Sequence, residues 1–190
     1  MANTKSSGFT RRGILTAFAA TTVTAAPTFG HAAGFLRGNA GDIRRIAMHS
    51  GRTGERIDTI YWIDGEYIPE AIREINVFMR DWRTGEAIQI DLRTIDIMSA
   101  SLNLMETREP YLLLSGYRSP RTNAMLRSRS SGVARNSLHM RGQAADLRLQ
   151  GRTTTQMANA AIACRAGGVG RYAGSNFVHM DCGPIRSWRG

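Results

Sequence analysis

The chain has 190 residues and a formal net charge of +10, with 25 Lys and Arg against 15 Asp and Glu. This length is enough for one compact domain with a hydrophobic core and too short for two large ones. A basic protein can bind nucleic acid, but the acid-free stretch 110–145 lacks the interleaved aromatic side chains on which bases stack. No nucleic-acid partner is therefore predicted, and the arginines of this stretch favour an anionic substrate that carries carboxylates.

Residues 1–33 have the pattern of an export signal. Two paired arginines, Arg11 and Arg12, precede the apolar run 16–26, and the small residues Gly30 and Ala32 offer a cleavage site. The arginine pair is typical of twin-arginine export. A short membrane anchor is the other interpretation, but the apolar run is too brief and too rich in Ala and Thr to span a bilayer comfortably.

The sequence after the signal, 34–190, is predicted to be a periplasmic domain with no stable insertion in the membrane. Loss of residues 1–32 removes three cations, which are Lys5 and the two paired arginines, and no acids. The formal net charge then falls from +10 to +7, so the domain stays basic after export.

Apolar patterns predict the secondary structure of the first half of this domain. Segments 43–48 and 57–62 are expected to be the strands of a hairpin, and the turn between them carries His49 as a surface or structural histidine. Helices are expected over 69–82, which starts with a proline, and over 92–105. The aromatic, Ile and Met stripes of these helices are predicted to belong to the core.

A short apolar strand, 111–114, is followed by a Ser-Gly turn that is expected to aim Arg118 over the strand end. The next residues, 121–129, are predicted to form a short helix or an ordered loop. We expect the whole stretch 119–136 to be the wall or lid of a cleft.

Two imidazoles and one carboxylate make up a candidate metal site. Alternation along a strand puts Leu147 on one face and Asp146 on the other, and Val178 and His179 divide in the same way. If the two strands are antiparallel neighbours, Asp146 and His179 project from one surface, and His139 needs only a seven-residue turn to join them. Two His and one Asp suit Zn²⁺ and leave a position for water.

The last part of the chain contains the two cysteines. A helix capped by Thr153 or Thr154 is predicted to run to about residue 165 and to pack on the sheet, with Cys164 on its inner side. Cys182 lies on the core-facing side of the last strand. An exported protein permits a disulfide between them, and two separate buried thiols are the alternative.

Three segments together resemble the zinc D-Ala-D-Ala peptidase family. They are Ser-Gly-Tyr-Arg at 115–118, the pattern Ser-x-His-x-x-Gly-x-Ala-x-Asp at 137–146, and Phe-Val-His-Met-Asp at 177–181. That family shares its fold with vancomycin-resistance dipeptidases and hedgehog signalling domains. Its periplasmic murein endopeptidases are the branch most similar to residues 49–188. The expected fold is an α+β domain with a mainly antiparallel sheet, helices packed on one face and the zinc cleft on the other.

The resemblance implies that His139, Asp146 and His179 are ligands of a catalytic Zn²⁺. It makes Arg118 a residue that holds the substrate or its oxyanion, and Ser137 a further substrate-binding residue. The implied substrate is peptidoglycan, and the implied reaction is hydrolysis of an amide bond in a stem peptide or cross-bridge. A D-Ala-D-Ala carboxypeptidase and a non-catalytic, zinc-containing cell-wall-binding domain are the alternatives.

Asp181 has two interpretations. It lies two residues beyond His179 on the same strand face, so it is a candidate for the general base that accepts a proton from the attacking water. It could instead orient a ligand histidine, as carboxylates around zinc commonly do. Many members of the family carry a Glu or His before the last ligand, where this chain has Asn, Phe and Val at 176–178.

Overall fold

The computed structural model describes residues 42–190, and the predicted export segment lies outside them. Within this part the strands are β1 (Ile43–Ser50), β2 (Arg56–Ile63), β3 (Glu66–Tyr67), β4 (Tyr111–Ser115), β5 (Ala144–Arg148), β6 (Gly168–Tyr172), β7 (Phe177–Asp181) and β8 (Arg186–Arg189). The helices are α1 (Pro69–Phe78), α2 (Leu92–Leu104), α3 (Pro120–Arg127) and α4 (Thr154–Ala163), with a 3₁₀ helix at Leu138–Arg141. No helix between residues 42 and 190 has the length and apolar character needed to cross a membrane.

All eight strands belong to one sheet, in the order β3-β2-β1-β4-β5-β7-β6-β8. Five of the seven neighbouring pairs are antiparallel, and two pairs, β1 with β4 and β6 with β8, are parallel. The prediction of an α+β fold with a mainly antiparallel sheet is therefore confirmed.

One face of the sheet carries the hydrophobic core. Helix α2 places Ile95 and Met98 on its inner side, and both are fully buried. They belong to one cluster with Leu147 of β5. Because side chains alternate along a strand, Asp146 and its partner His179 emerge on the opposite face, as the sequence pattern predicted.

The first hairpin forms as predicted, but His49 does not lie in its turn. It is part of the β1 ladder, and the reversal comes later, closed by a hydrogen bond from the Ser50 amide to the Glu55 carbonyl (2.9 Å). Gly54 supplies the left-handed conformation of the turn, with φ at +74°. The predicted position of His49 is wrong because the strand continues to Ser50.

Helix α1 ends at Phe78, whereas its apolar spacing predicted that it would reach Trp82. The chain turns early because buried Asp81 accepts hydrogen bonds from the amides of Arg83 (3.0 Å) and Ser119 (2.9 Å), which stabilise a loop. Trp82 consequently lies at the surface, where the Arg83 guanidinium carbon is 4.1 Å from its ring centroid.

The turn after β4 packs against the end of α1. The Tyr117 amide donates a hydrogen bond to the Met79 carbonyl (2.7 Å), and a Cβ at Gly116 would lie only 2.4 Å from that same oxygen. Only glycine permits this approach of two backbone segments. The contact fixes the point from which Arg118 reaches over the end of β4.

Thr153 caps the N-terminus of helix α4 and forms a capping box with Gln156. Its inner side packs on the sheet as predicted, with Met157 buried. Cys164 and Cys182 are both buried and unpaired. Of the two interpretations of the cysteines, the structure has the separate thiols.

Candidate metal centre and cleft

The three candidate ligands meet on the open face of the sheet. Asp146 of β5 is directly opposite His179 of β7, and the 3₁₀ helix brings His139 to them. Asp146 Oδ1 lies 2.9 Å from His179 Nδ1 and 3.2 Å from His139 Nε2. The potential ligand atoms of the three residues all lie within 4.8 Å of one another, so the set predicted from the sequence is assembled.

His139 offers its Nε2 atom to this cluster. Its Nδ1 lies 2.7 Å from the Gly116 carbonyl, and because a carbonyl only accepts hydrogen bonds, Nδ1 carries the proton. The Nε2 lone pair is then left free, and this atom is buried without a hydrogen-bond partner. A buried nitrogen without a partner is costly in a purely structural site, whereas it fits a metal ligand.

His179 offers the other nitrogen, Nδ1. Its Nε2 lies 3.0 Å from Asp181 Oδ2, and a carboxylate in this place keeps the proton on Nε2. Nδ1 therefore carries the lone pair that coordination requires, and it faces Asp146. The donor set that fits an ion is Nε2 of His139, Nδ1 of His179 and the Asp146 carboxylate.

Asp181 is fully buried, and both of its oxygens have several partners. Oδ1 accepts the amides of Gly168 (3.1 Å) and Gly183 (2.9 Å). The Arg186 guanidinium donates to both oxygens, at 3.1 and 2.7 Å. Burial acts to raise the pKa of Asp181, but the hydrogen bonds from His179 and Arg186 outweigh it and lower the pKa to about 2.

The electrostatics of the cluster favour positive charge between its carboxylates. Burial acts to raise the pKa of Asp146, but the two imidazoles beside it, those of His139 and His179, hold that pKa well below its usual range. Burial acts to lower the pKa of His179, yet its bonds to Asp146 and Asp181 raise it to about 9. A site that stabilises a cationic imidazole in this way is matched to a metal cation.

Arg118 lies beside the candidate ligands with its side chain largely buried. Its Nη2 donates to Ser115 Oγ (3.3 Å) and lies 3.5 Å from Asp146 Oδ2, and its Nη1 donates to Asn123 Oδ1 (3.4 Å). Its Nε is buried without a partner. Burial lowers the pKa of Arg118, and the charge of Asp146 opposes this effect, so the guanidinium stays a cation in the cleft.

An open cleft of about 270 Å³ lies over the cluster. Ser137 lines it beside His139, and residues 132–134 and 136 form one side, in agreement with the prediction that 119–136 contributes a wall. Asn123 holds this wall, because its Nδ2 donates to the Ala134 carbonyl (3.1 Å). The lining also includes three aromatic residues of the β6–β8 part of the sheet, which are Tyr172, Phe177 and Trp188.

Sequence reasoning missed several residues of the site. Arg186 and Trp188, both from β8, line the cleft and contact Asp181 and His179. The only sequence signal for them is that Arg186 and Trp188 are two residues apart in a four-residue strand and therefore share one face of it. It could not be used without knowing which strand β8 adjoins.

Comparison with known proteins identifies the family. The profile of Peptidase M15_2, described as "Peptidoglycan L,D-endopeptidase MepK", matches residues 38–188, which is most of the chain. The chain belongs to this family. The expectation drawn from the three motifs, of a murein endopeptidase within the D-Ala-D-Ala peptidase group, is thereby confirmed.

Individual relatives agree with the profile. The peptidoglycan L,D-endopeptidase MepK of Escherichia coli (strain K12) is 42% identical over 145 residues, covering 76% of this chain and 80% of that protein. A probable MepK of Haemophilus influenzae is 35% identical over 148 residues, covering 77% and 80%. Among solved structures, the L-Ala D-Glu endopeptidase ChiX of Serratia marcescens matches 50% of this chain and 68% of its own, with 16% identity and a TM-score of 0.35.

Proposed function

We propose that this protein is a peptidoglycan L,D-endopeptidase, an enzyme that hydrolyses an amide bond between an L-centre and a D-centre in the peptide part of the cell wall. The observation that carries the proposal is the meeting of His139 Nε2, His179 Nδ1 and the Asp146 carboxylate in an open cleft, in a member of the MepK family. The cell envelope is the corresponding location.

The proposed ion is Zn²⁺. Two imidazole nitrogens and one carboxylate are a usual ligand set for catalytic zinc and leave a coordination position open. When bound, the ion would supply Lewis acidity, polarising the scissile carbonyl and making a water molecule more acidic. The cleft residues would then bind and orient the substrate around this centre.

Arg118 is the proposed substrate-binding cation. Ser115 and Asn123 hold its guanidinium beside Asp146, so that it faces the place where a scissile carbonyl would lie. A fixed cation there stabilises the negative charge that develops on the carbonyl oxygen, or binds a stem-peptide carboxylate in the ground state. Ser137, which lines the same cleft, is proposed to bind the substrate with its hydroxyl group.

For Asp181 we favour the role of holding His179 over that of general base. Its carboxylate is buried, its two oxygens accept bonds from Gly168, Gly183 and Arg186, and Oδ2 also contacts His179 Nε2. A base needs an oxygen that reaches the attacking water, whereas these contacts direct the carboxylate to the imidazole.

The variant Asp181→Asn separates the two roles. Its side-chain oxygen can still accept from His179 but lacks the negative charge, so a holding role predicts weaker zinc binding together with partial activity. A base role predicts full zinc content and loss of turnover. Zinc content and kcat measured on the same preparation decide between them.

Digestion of purified peptidoglycan by residues 34–190 tests the proposed activity. We expect chelator-sensitive loss of cross-linked dimers, with mass spectrometry locating the cut at an L,D bond, as in a 3,3 cross-link. Release of single D-Ala would indicate a carboxypeptidase. Intact peptidoglycan in the presence of metal-loaded protein would indicate a non-catalytic wall-binding domain.

We also propose that residues 1–33 are a twin-arginine export signal and that the domain acts in the periplasm. The support is the arginine pair before a short apolar run. Replacing Arg11 and Arg12 by lysine should leave the protein in the cytoplasm in cell fractionation. Unchanged periplasmic recovery would contradict this route.

A further inference from the structure

The edge strand β8 reaches the metal centre across a neighbouring strand. On the open face of the sheet, Asp146 is opposite His179, His179 is opposite Gly170 of β6, and Gly170 is opposite Trp188 of β8. These four residues therefore form one row across four strands. Gly170 is the member without a side chain, and Trp188 is next to it on the side away from His179.

Trp188 fills the space that Gly170 leaves. A Cβ built on Gly170 would lie 2.5 Å from Cε2 and Cζ2 of the indole, so the ring lies over β6 where a side chain would be. This position brings the Trp188 ring centroid to 5.3 Å from that of His179. The indole Nε1 donates to the Tyr172 hydroxyl (3.0 Å), which fixes the orientation of the ring.

The next row repeats the arrangement with charged groups. Asp181, Gly168 and Arg186 are opposite one another on β7, β6 and β8. A Cβ on Gly168 would lie 2.4 Å from Arg186 Nη1 and 2.6 Å from Asp181 Oδ2. Because that space is free, Arg186 reaches over β6 and donates to both oxygens of Asp181, which in turn contacts His179.

One residue of each row contacts the same imidazole, since Trp188 of the first row and Asp181 of the second both contact His179. A histidine ring turns readily about χ2, and a small rotation displaces Nδ1 from the position that coordination requires. Trp188 limits that rotation by contact with the ring, and Arg186 limits it through the Asp181 hydrogen bond. Glycine weakens a strand interior, and a close approach by another group is a usual reason to find it there.

We propose that Arg186 and Trp188 are positioning residues that fix His179 for metal binding, and that Gly168 and Gly170 are required because they let these side chains cross β6. The proposal rests on the proposed metal-dependent function for its biological purpose. Its test uses zinc binding alone, so that failure of either proposal can be recognised without the other.

The test compares two glycine variants of residues 34–190. Gly170→Ala should displace the indole, whereas Gly174→Ala is a matched control, because a Cβ there meets no atom within 4 Å. Zinc affinity is measured by competition with a chelator of known affinity. We expect Gly170→Ala to weaken zinc binding about tenfold or more, in the range found for residues that support metal ligands. Gly174→Ala should match the parent protein.

Two further variants keep the test decisive if Gly170→Ala does not fold. Trp188→Ala should weaken zinc binding to a similar extent, and Trp188→Phe should restore most of it because a ring again faces His179. The visible spectrum of the Co²⁺ form, which reports ligand geometry, should change in Trp188→Ala and return in Trp188→Phe. Thermal unfolding without metal identifies variants that fold. Unchanged zinc affinity and Co²⁺ spectrum in a folded Trp188→Ala protein would overturn the proposal.

Discussion

Two carboxylate centres lie against the two halves of the sheet. The buried Asp96 of α2 and the half-buried Asp146 of β5 differ in how completely protein groups satisfy them. In the β1–β3 half, Asp96 Oδ1 accepts from Arg44 Nη1 (3.0 Å) and the Tyr61 hydroxyl (3.0 Å), and Oδ2 accepts from the Tyr67 hydroxyl (2.6 Å). Arg44 also lies over the Trp62 ring. Side chains of the protein therefore occupy both oxygens of this carboxylate.

The centre in the other half is open. Asp146 faces two imidazoles and Arg118, and His139 Nε2 is buried beside it without a hydrogen-bond partner. A closed network of donors and acceptors stabilises a fold, since nothing else can be added to it. A network whose nitrogen and oxygen atoms are not all paired stabilises the fold less, but its unpaired atoms can bind a cation. The comparison thus distinguishes a carboxylate whose partners all belong to the protein from one whose surroundings can accept a cation.

The largest expected effect is loss of the ligands at the open centre. His139→Ala, Asp146→Ala and His179→Ala should each abolish zinc binding and lower peptidoglycan cleavage by at least about a hundredfold, because the Lewis acid is lost. Metal analysis and product quantification check this. His49→Ala is the matched control and should keep its zinc, because His49 lies in β1 outside the cluster. Retained zinc in all three variants would show that these residues are not the metal ligands.

Substitutions at the closed centre around Asp96 should lower the stability of the fold and leave zinc binding unchanged. Asp96→Ala removes the carboxylate that Arg44, Tyr61 and Tyr67 contact, and loss of one partner of a buried ion pair costs about 3 kcal/mol of unfolding free energy. Zinc affinity should be unchanged below the unfolding transition. Asp58→Ala is the control, because its ion pair with Arg45 is exposed and should contribute less than about 1 kcal/mol. Urea unfolding measures both variants.

Arg118→Ala tests whether Arg118 contributes to turnover without contributing to metal binding. We expect zinc to be retained and kcat to fall about a hundredfold, the size expected when a donor to a developing oxyanion is lost. Arg118→Lys should recover only part of the activity, because an ammonium group lacks the planar fork. Arg121→Ala, a neighbouring exposed arginine, should have normal kinetics. Loss of zinc in Arg118→Ala would assign the residue to the metal centre.

The smallest expected effect is that of Tyr67→Phe, which deletes one donor of the closed centre. Tyr67 is only partly buried, so water can replace its hydroxyl near Asp96. We expect a loss of about 1 kcal/mol in unfolding free energy, less than for Asp96→Ala. An equal loss in the two variants, measured by urea unfolding, would mean that the three donors act as one unit.

Local patterns were sufficient to predict the open centre. Alternation in β5 and β7 placed Asp146 and His179 on the polar face, and the antiparallel pairing of these strands put them opposite each other. His139 followed because the chain between it and Asp146 is short. Each inference needed only residues close in sequence and one assumed strand pair.

The remaining features depend on pairings that no local pattern contains. The sequence analysis predicted no strand over 168–172, where Gly168 and Gly170 give a low strand propensity. The parallel pairing of β6 with β8 then brings Arg186 and Trp188 to the site. In the same way, the hydrogen bonds of Asp81 to a distant loop shortened α1, and Arg44 and Asp96 are 52 residues apart.

The row of residues across the open face also has a length that can be compared with the length of a peptide substrate. Ser115 is opposite Asp146, so the row runs from Ser115 through His179 to Trp188 and crosses five adjacent strands. With neighbouring strands about 4.8 Å apart, four steps span about 19 Å. An extended peptide covers that distance with about six residues. A cross-linked peptide of this length lying across the strands would therefore be long enough to contact both Arg118, which covers Ser115, and Trp188. A dipeptide would reach only the metal centre and its nearest neighbours.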